Sequence, residues 1–466
     1  MNEFDFFPSQ YERIVELLRP SQAFLVGGAV RDLLLRRPVH DLDFTLSEGT
    51  ISTAKRIADQ LGGGFFVLDP ERETCRVILD GGGKQRLVVD FTLFQGETIE
   101  EDLSARDFTI TSMALDLREE NGLIDPLQGA QDLKDGLIRA SSDRALENDP
   151  LRCIRAVRLA SQLGFHILPG TREQIRRYRG KLSQVSPERK RDELFRLLEG
   201  PHQSAGLLAL QMLGLYDYLF PGEFPSQQVG FLGNLEKLWS LFLEDHDQEG
   251  AGSWFRGLLI HRLGRYRKRV KEYLAQEMVP GRSVYQLTFL IPLLSSFVEN
   301  QTPESIRQIT HLTALSNQEA VYLTKGIAAA ESWSSLSREE RESYPVDVFR
   351  YFDRFDAAGI AGIYLGLAGG LDNQLLEGAQ DNWIQQLGKA RYYLEGYWEH
   401  HQAWVDPPRL LDGDDIQREF KLAPGPVIGS LLYSLREEQV RCGLQSRKEG
   451  LEFLKEQVSQ LNRTDS

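Results

Sequence analysis

Apolar residues recur along this chain in two regimes. Up to about residue 140 they come as short runs, or alternate with polar residues, at 24–26, 65–68, 76–79, 86–93 and 113–117. Glycine turns such as Gly81-Gly82-Gly83 break these segments, and that pattern predicts strands. Beyond residue 140 the spacing becomes helical and stays so. The most apolar stretch, 287–297, is short and contains Pro292, so it reads as a core helix and not as a membrane span. The acidic, glycine-containing stretch 244–253 is the best linker candidate, 404–408 marks a second boundary, and no period signals repeats.

The earliest strands frame the most informative block. A run at 24–26 predicts a strand, Gly27 and Gly28 a tight turn, 29–35 a helix and 41–46 a second strand. Side chains alternate along a strand, so Asp41 and Asp43 point the same way, their backbones roughly 7 Å apart. Paired carboxylates beside a glycine turn suit a hard divalent cation, and Arg31 can reach back one turn to pair with a phosphate. Such carboxylates would hold Mg²⁺, which clamps the attacking and leaving oxygens of an in-line phosphoryl displacement. An Asp-x-Asp alone is ordinarily a solvated strand end, so the order of the surrounding elements has to carry the weight. On the strand 86–93, Asp90 is a third carboxylate among apolar neighbours, where an acid usually has a partner.

Composition narrows the class. The 466 residues suggest two to four domains. Cys75, Cys153 and Cys442 are widely spaced, giving neither a zinc pattern nor a disulfide framework, so a cytoplasmic setting is expected. The N-terminus lacks a charged and apolar leader, and no membrane partner is expected. A formal net charge of −14 argues against nucleic acid as a global sum, but a binding surface needs only a local field. Two Arg-rich stretches, 152–196 and 256–271, supply one, the second with Trp254, Phe255 and Tyr266 among its cations.

A second constellation runs Glu147-Asn-Asp-Pro-Leu-Arg-Cys-Ile-Arg-Ala-Val-Arg158. Pro150 suits a first helical position, which predicts a helix opening at Asp149. Arg152, Arg155 and Arg158 follow at steps of three, along a gently spiralling stripe. A carboxylate accepts from the exocyclic amine of cytosine or adenine, and a guanidinium donates to their ring acceptors. Asp149 with Arg152 could therefore select CTP and ATP, although spacing alone favours an N-cap followed by surface arginines.

The combination resembles a known family. The order strand, Gly-Gly, helix, Asp-Leu-Asp is similar to the nucleotidyltransferase signature. In its full form, GGAVRD followed by HDLDF, it resembles the class II tRNA CCA-adding enzymes and bacterial poly(A) polymerases. The segment Asp102 to Asp116 resembles the family's RRDFTINAMA run, with Ala105 in place of its first arginine and Arg106-Asp107 retained. Asp125-Pro-Leu-Gln-Gly129 and Asp132-Leu-Lys-Asp-Gly136 match its DP-G-DL-G turns, and 410–435 resembles its tail.

The resemblance implies an α+β chain: a polymerase β-like mixed-sheet nucleotidyltransferase head at 1–140, then an all-α neck at 141–200, body at 201–404 and tail at 405–466. It implies Mg²⁺-dependent, template-independent addition of C and/or A to a tRNA 3′ end from CTP and ATP. Asp41 and Asp43 would hold the metal, and Gly28, Arg31 and Arg106 the triphosphate. Asp149 and Arg152 would read the base, while Arg155 and Arg158 contact phosphate or stiffen the reader. The family's reader opens with Glu where this chain has Asn148, and the segment from Asp69 to Leu79 lies where the family has a flexible loop tied to the switch from C to A. CCA, CC-only, A-only and poly(A) addition remain open from sequence, as does a catalytically inactive RNA-binding homologue. A phosphohydrolase would require a metal-binding His-Asp set, and outside the HDLDF run with its His40-Asp41, His246-Asp247 is the only His-Asp pair.

Overall fold

The computed structural model describes residues 6–80, 86–119, 122–220, 224–225, 229–243, 254–295, 297, 302–336, 344–371 and 379–464. The chain forms two compact units, Met1–Leu219 and Phe220–Ser466. The linker candidate at 244–253 and the His246-Asp247 pair lie outside the described residues.

The first unit is built on a seven-stranded mixed sheet: β1 (Ala23–Val26), β2 (Asp41–Leu46), β3 (Gly64–Asp69), β4 (Thr74–Asp80), β5 (Arg86–Leu93), β6 (Ala114–Asp116) and β7 (Leu123–Ile124). The order across it is β3-β4-β5-β2-β1-β6-β7. Only β2 and β5 run parallel, and the other neighbours are antiparallel. Helix α1 (Tyr11–Leu18) precedes the sheet, α2 (Gly28–Leu34) joins β1 to β2, and α3 (Thr50–Leu61) joins β2 to β3.

Alternation gives the sheet two unlike faces. Leu42, Phe44, Cys75, Val77, Val89 and Phe91 are buried on one face, with Phe44 and Phe91 stacked at 5.6 Å. The apolar side of α3, Ala54, Ile57 and Ala58, is buried as well. Each fully buried side chain of this size contributes roughly 2–3 kcal/mol. On the opposite face, Phe24 and Val26 pack with Ile99 and Leu103 of α4 (Ile99–Ala105). That helix covers the β1 and β6 side. Asp41, Asp43, Asp90 and Arg76 are left on the part of the same face that stays accessible.

After the sheet come α5 (Gly129–Asp135), β8 (Leu137–Ile138), α6 (Ala145–Asn148), α7 (Arg152–Leu163), β9 (His166–Ile167), α8 (Pro169–Tyr178), α9 (Pro187–Glu199) and α10 (Gln203–Met212). The neck is helical apart from β9, which pairs in parallel with β8. The predicted helix start moves. Asp149 is extended (φ −139°, ψ 100°), and i→i+3 bonds from Arg152 and Cys153 to the carbonyls of Asp149 and Pro150 make a tight turn. Helix α7 therefore opens at Arg152, because two turn residues follow the extended Asp149 before α-helical bonding begins.

Among its described residues the second unit has helices and one small hairpin, Glu277–Val279 with Arg282–Ser283. The apolar segment forms Val284–Leu294, capped by a reciprocal Ser283 and Gln286 box and buried along nearly its whole length. Its Thr288 accepts from the Trp239 indole at 3.1 Å. The tail packs its own cluster of Leu411, Ile416, Ile428, Leu431, Leu435 and Leu454, with Asp415 taking two bonds from Arg447. Among the described residues, no helix is long and apolar enough to cross a membrane.

Candidate functional site

Strand register assembles the carboxylates. Asp43 of β2 lies opposite Asp90 of β5, and Arg76 of β4 lies opposite Asp90 on its other side. Directly opposed residues share a face, so Asp43, Asp90 and Arg76 form one row across three strands. Arg76 takes both Asp90 oxygens at 2.8 Å, which supplies the partner expected of that acid. Asp41, two residues along β2 and exposed, shares the face with Asp43. Burial pushes the Asp43 carboxyl up to about 6; the negative Asp90 and Asp41 add to this against the opposing Arg106 and Arg155.

Helix α4 delivers the cation beside this row. Its first turn is acidic and capped by Thr98, and it ends at Arg106, whose Nε and Nη2 both donate to Asp102 Oδ2. That fork leaves Nη1 directed at the β1–α2 turn. Gly27 there has φ +71°, and a Cβ on it would sit 3.4 Å from Arg106 Nη1 and 3.5 Å from Asp43 Oδ2. Glycine thus serves both the left-handed backbone and the close approach. Arg31 folds back over Gly28, with Nη2 3.6 Å from where a Cβ would be, and takes both oxygens of Asp32.

The next residue in the chain fixes the neck. Asp107 is buried, which by itself would raise its pKa. Its close pair with Arg155, the Thr111 hydroxyl, Arg152 and the Phe108 N–H outweigh this and hold it below the usual carboxylate range. Arg155 Nε stands 2.6 Å from Asp107 Oδ2. Arg152 is committed to main chain: it donates to the carbonyls of Ala105, Arg106 and Ala145, each at 3.0 Å. Asp149 turns elsewhere: its Oδ1 accepts from Leu151 N–H and its Oδ2 from Arg189 of α9 at 2.9 Å. Arg158 is buried and paired with Glu193 at 2.7 Å and Gln162 at 2.9 Å, which ties α7 to α9.

The structure thus brings Asp41, Asp43, Gly28, Arg31 and Arg106 to one end of the sheet and connects Arg106, Asp107, Arg152 and Arg155 through direct contacts. Sequence reasoning missed Arg189, one cation in a basic run whose partner lies 40 residues away, and Asp102, whose role depends on the i, i+4 geometry of α4.

The residues fit a hard divalent cation. Asp41 and Asp43 offer oxygen donors only, and the raised Asp43 marks a place short of positive charge. Among the described residues no set of three or more His, Cys, Asp or Glu side chains converges on one point, consistent with Asp90 being engaged by Arg76. Two carboxylates with substrate phosphates and water are a usual Mg²⁺ shell.

Comparison with known proteins finds relatives over most of the chain. Residues 23–139 match the poly A polymerase head domain, and 164–223 match the probable RNA and SrmB-binding site of polymerase A. A CC-adding tRNA nucleotidyltransferase from Geobacter sulfurreducens is 31% identical over 93% of this chain and 91% of its own. An A-adding tRNA nucleotidyltransferase from Deinococcus radiodurans is 29% identical over 90% and 91%. A CCA-adding enzyme solved in complex with ATP superposes with a TM-score of 0.66 at 20% identity, covering 97% of this chain and 96% of that one.

Proposed function

The chain belongs to the class II tRNA nucleotidyltransferases, the family of CCA-adding enzymes and bacterial poly(A) polymerases, and on that premise we propose that it adds cytidines to the 3′ end of tRNA. It is a nucleotidyltransferase that extends a tRNA 3′ end from a nucleoside triphosphate. The observation that carries the reading is the juxtaposition of Asp43 and Arg106 across Gly27, with Asp41 on the same face.

In the proposed reaction the tRNA 3′ hydroxyl attacks the α-phosphate of CTP in line and pyrophosphate leaves. Asp41 and Asp43 would hold Mg²⁺, which when bound neutralises charge at the reacting phosphate and the leaving oxygens. Arg106, braced by Asp102, and Arg31 would neutralise the triphosphate, with the Gly28 backbone close enough to contact it. Asp149 would accept from the cytosine amine, and its bond from Arg189 sets the carboxylate's direction. Arg152 and Arg155 lock the reader to the end of α4 through the Ala105 and Arg106 carbonyls and Asp107. Arg158 would act by stiffening, through Glu193, and not by touching phosphate.

Cytidine is favoured over adenine by the β3–β4 connection. Where the family has a flexible loop tied to the change from C to A, this chain has four residues, 70–73, between two paired strands. Asp69 accepts from Glu71 N–H and Arg72 N–H, and Glu73 accepts from Thr50 N–H at the start of α3, so both ends of the turn are tied down. The full-length C-adding relative is also slightly more similar than the A-adding one. The three cysteines are unpaired, which supports a cytoplasmic setting.

The test is incorporation of labelled CTP or ATP into tRNA ending before CCA, after C, or after CC. Two, one and no cytidines, with no adenosine, are expected. Addition of A to the CC-ended substrate would replace the C-only reading with full CCA or A addition, and long A tails would indicate poly(A) synthesis.

A further inference from the structure

The row of paired residues that begins at Asp43 does not stop at Arg76. Phe66 of the edge strand β3 lies opposite Arg76, so Asp43, Asp90, Arg76 and Phe66 occupy successive strands on one face. Side-chain exposure is 25% at Asp90 and 40% at Arg76, and Phe66 is 50% exposed. On β2, β4 and β5 the opposite face is buried, whereas on the edge strand β3 Val67 of that face is 42% exposed as well. Leu68, inside the register shift between Val67 and Asp69, is 52% exposed.

The ring of Phe66 has a defined seat. A Cβ on Gly64, its i−2 neighbour, would stand 3.2 Å from Phe66 Cε2 and 3.5 Å from Cζ. The ring therefore lies over bare backbone on the side toward Gly64, while half of its surface remains open. A free aromatic surface beside a guanidinium, continuous with a row of catalytic carboxylates, matches the chemistry of single-stranded nucleic acid binding: stacking on π-faces with a cation near the backbone. Adjacent strands are about 4.8 Å apart, which sets Phe66 roughly 14 Å from Asp43.

We propose that Phe66, flanked by Arg76 and seated on Gly64, stacks an unpaired base of the tRNA acceptor end upstream of the reacting hydroxyl, forming an RNA-holding platform distinct from the nucleotide reader. This rests on the proposed transfer reaction. The platform acts on the RNA strand alone, so its loss weakens tRNA binding without changing how CTP is selected. Stacking on an aromatic side chain is worth roughly 1–3 kcal/mol per base, equivalent to about a five- to hundred-fold change in affinity.

The experiment uses the full chain and a tRNA minihelix ending in a single-stranded 3′ segment, with 2-aminopurine placed in turn at each unpaired position. Wild-type protein should quench the fluorescence at one position. Phe66→Ala should lose that quenching and raise KM for tRNA about five- to hundred-fold, leaving KM for CTP within about twofold. Phe66→Trp should restore quenching, and Gly64→Ala, which lifts the ring, should weaken it. Unchanged quenching and tRNA KM in Phe66→Ala would overturn the platform. So would a change in oligomeric state with no RNA effect, since that would make β3 an edge for pairing with a second copy. If wild-type protein transfers nucleotide to no tRNA, the underlying reaction is refuted instead, and the two failures are told apart by the wild-type control.

Discussion

Replacing Asp43 with Asn should make the metal-free protein more stable while abolishing transfer. Burial and the neighbouring Asp90 raise the Asp43 carboxyl from 3.8 to about 6. A folded-state pKa above the unfolded one means that ionised Asp43 opposes folding. The favourable contribution is fully present below about pH 3.8 and is lost as pH rises through about 6. Each tenfold in proton affinity is worth about 1.4 kcal/mol, so the displacement amounts to roughly 3 kcal/mol. Solvent screening at a half-buried carboxylate reduces the usable figure to about 1–2 kcal/mol. In EDTA at pH 8, Asp43→Asn should therefore be about 1–2 kcal/mol more stable than wild type, and the difference should vanish near pH 4. Added Mg²⁺ should narrow it, because a cation that binds only the folded wild type stabilises it by mass action. The six tryptophans lie between Trp239 and Trp404, all in the second unit, so intrinsic fluorescence does not follow this event. Hydrogen exchange of the β2 and β5 amides in urea does. A variant equal to or less stable than wild type at pH 8, or a difference independent of pH, would refute the electrostatic reasoning.

Three other changes probe the supports. Arg158→Met leaves Glu193 buried without its main cation, a loss of about 3–5 kcal/mol; Arg158→Met with Glu193→Leu should recover much of it in urea denaturation, and failure to recover would deny that the pair acts through α7–α9 packing. Arg152→Ala strips three carbonyls of their donor and should raise misincorporation of UTP more than it weakens RNA binding, as measured by competition assays; equal losses of both would contradict its role in locking the reader. Gly27→Ala forces an L residue to φ +71° and crowds Arg106 and Asp43, so kcat for transfer should fall at least about tenfold with the protein still folded by circular dichroism, a strain cost of about 1–2 kcal/mol.

What the chain reveals in advance depends on how local the physics is. Strands β2 and β5 were legible because alternation and apolar runs are set within a few residues, and the Asp41 and Asp43 pair follows from strand periodicity alone. The start of α7 was not, because Pro150 is compatible with a first helical position while Asp149 is held extended by contacts with Leu151 and Arg189. The engagement of Asp90 by Arg76 depends on which strands become neighbours, a property of topology. The fate of Arg152 was hidden more deeply, since its partners are backbone carbonyls, and any residue type could have supplied them. Asp149 and Arg189 meet only because α7 and α9 pack together.

Phosphodiester bond formation at the paired carboxylates is tested most directly by single-turnover addition of labelled CTP to tRNA lacking CCA, comparing wild type with Asp41→Asn and Asp43→Asn at equal occupancy of tRNA. The wild type should add two cytidines and stop, while both variants bind tRNA with unchanged affinity and form no bond on the same timescale. Transfer at the wild-type rate by either variant would contradict the assignment of the reaction to this face of the sheet.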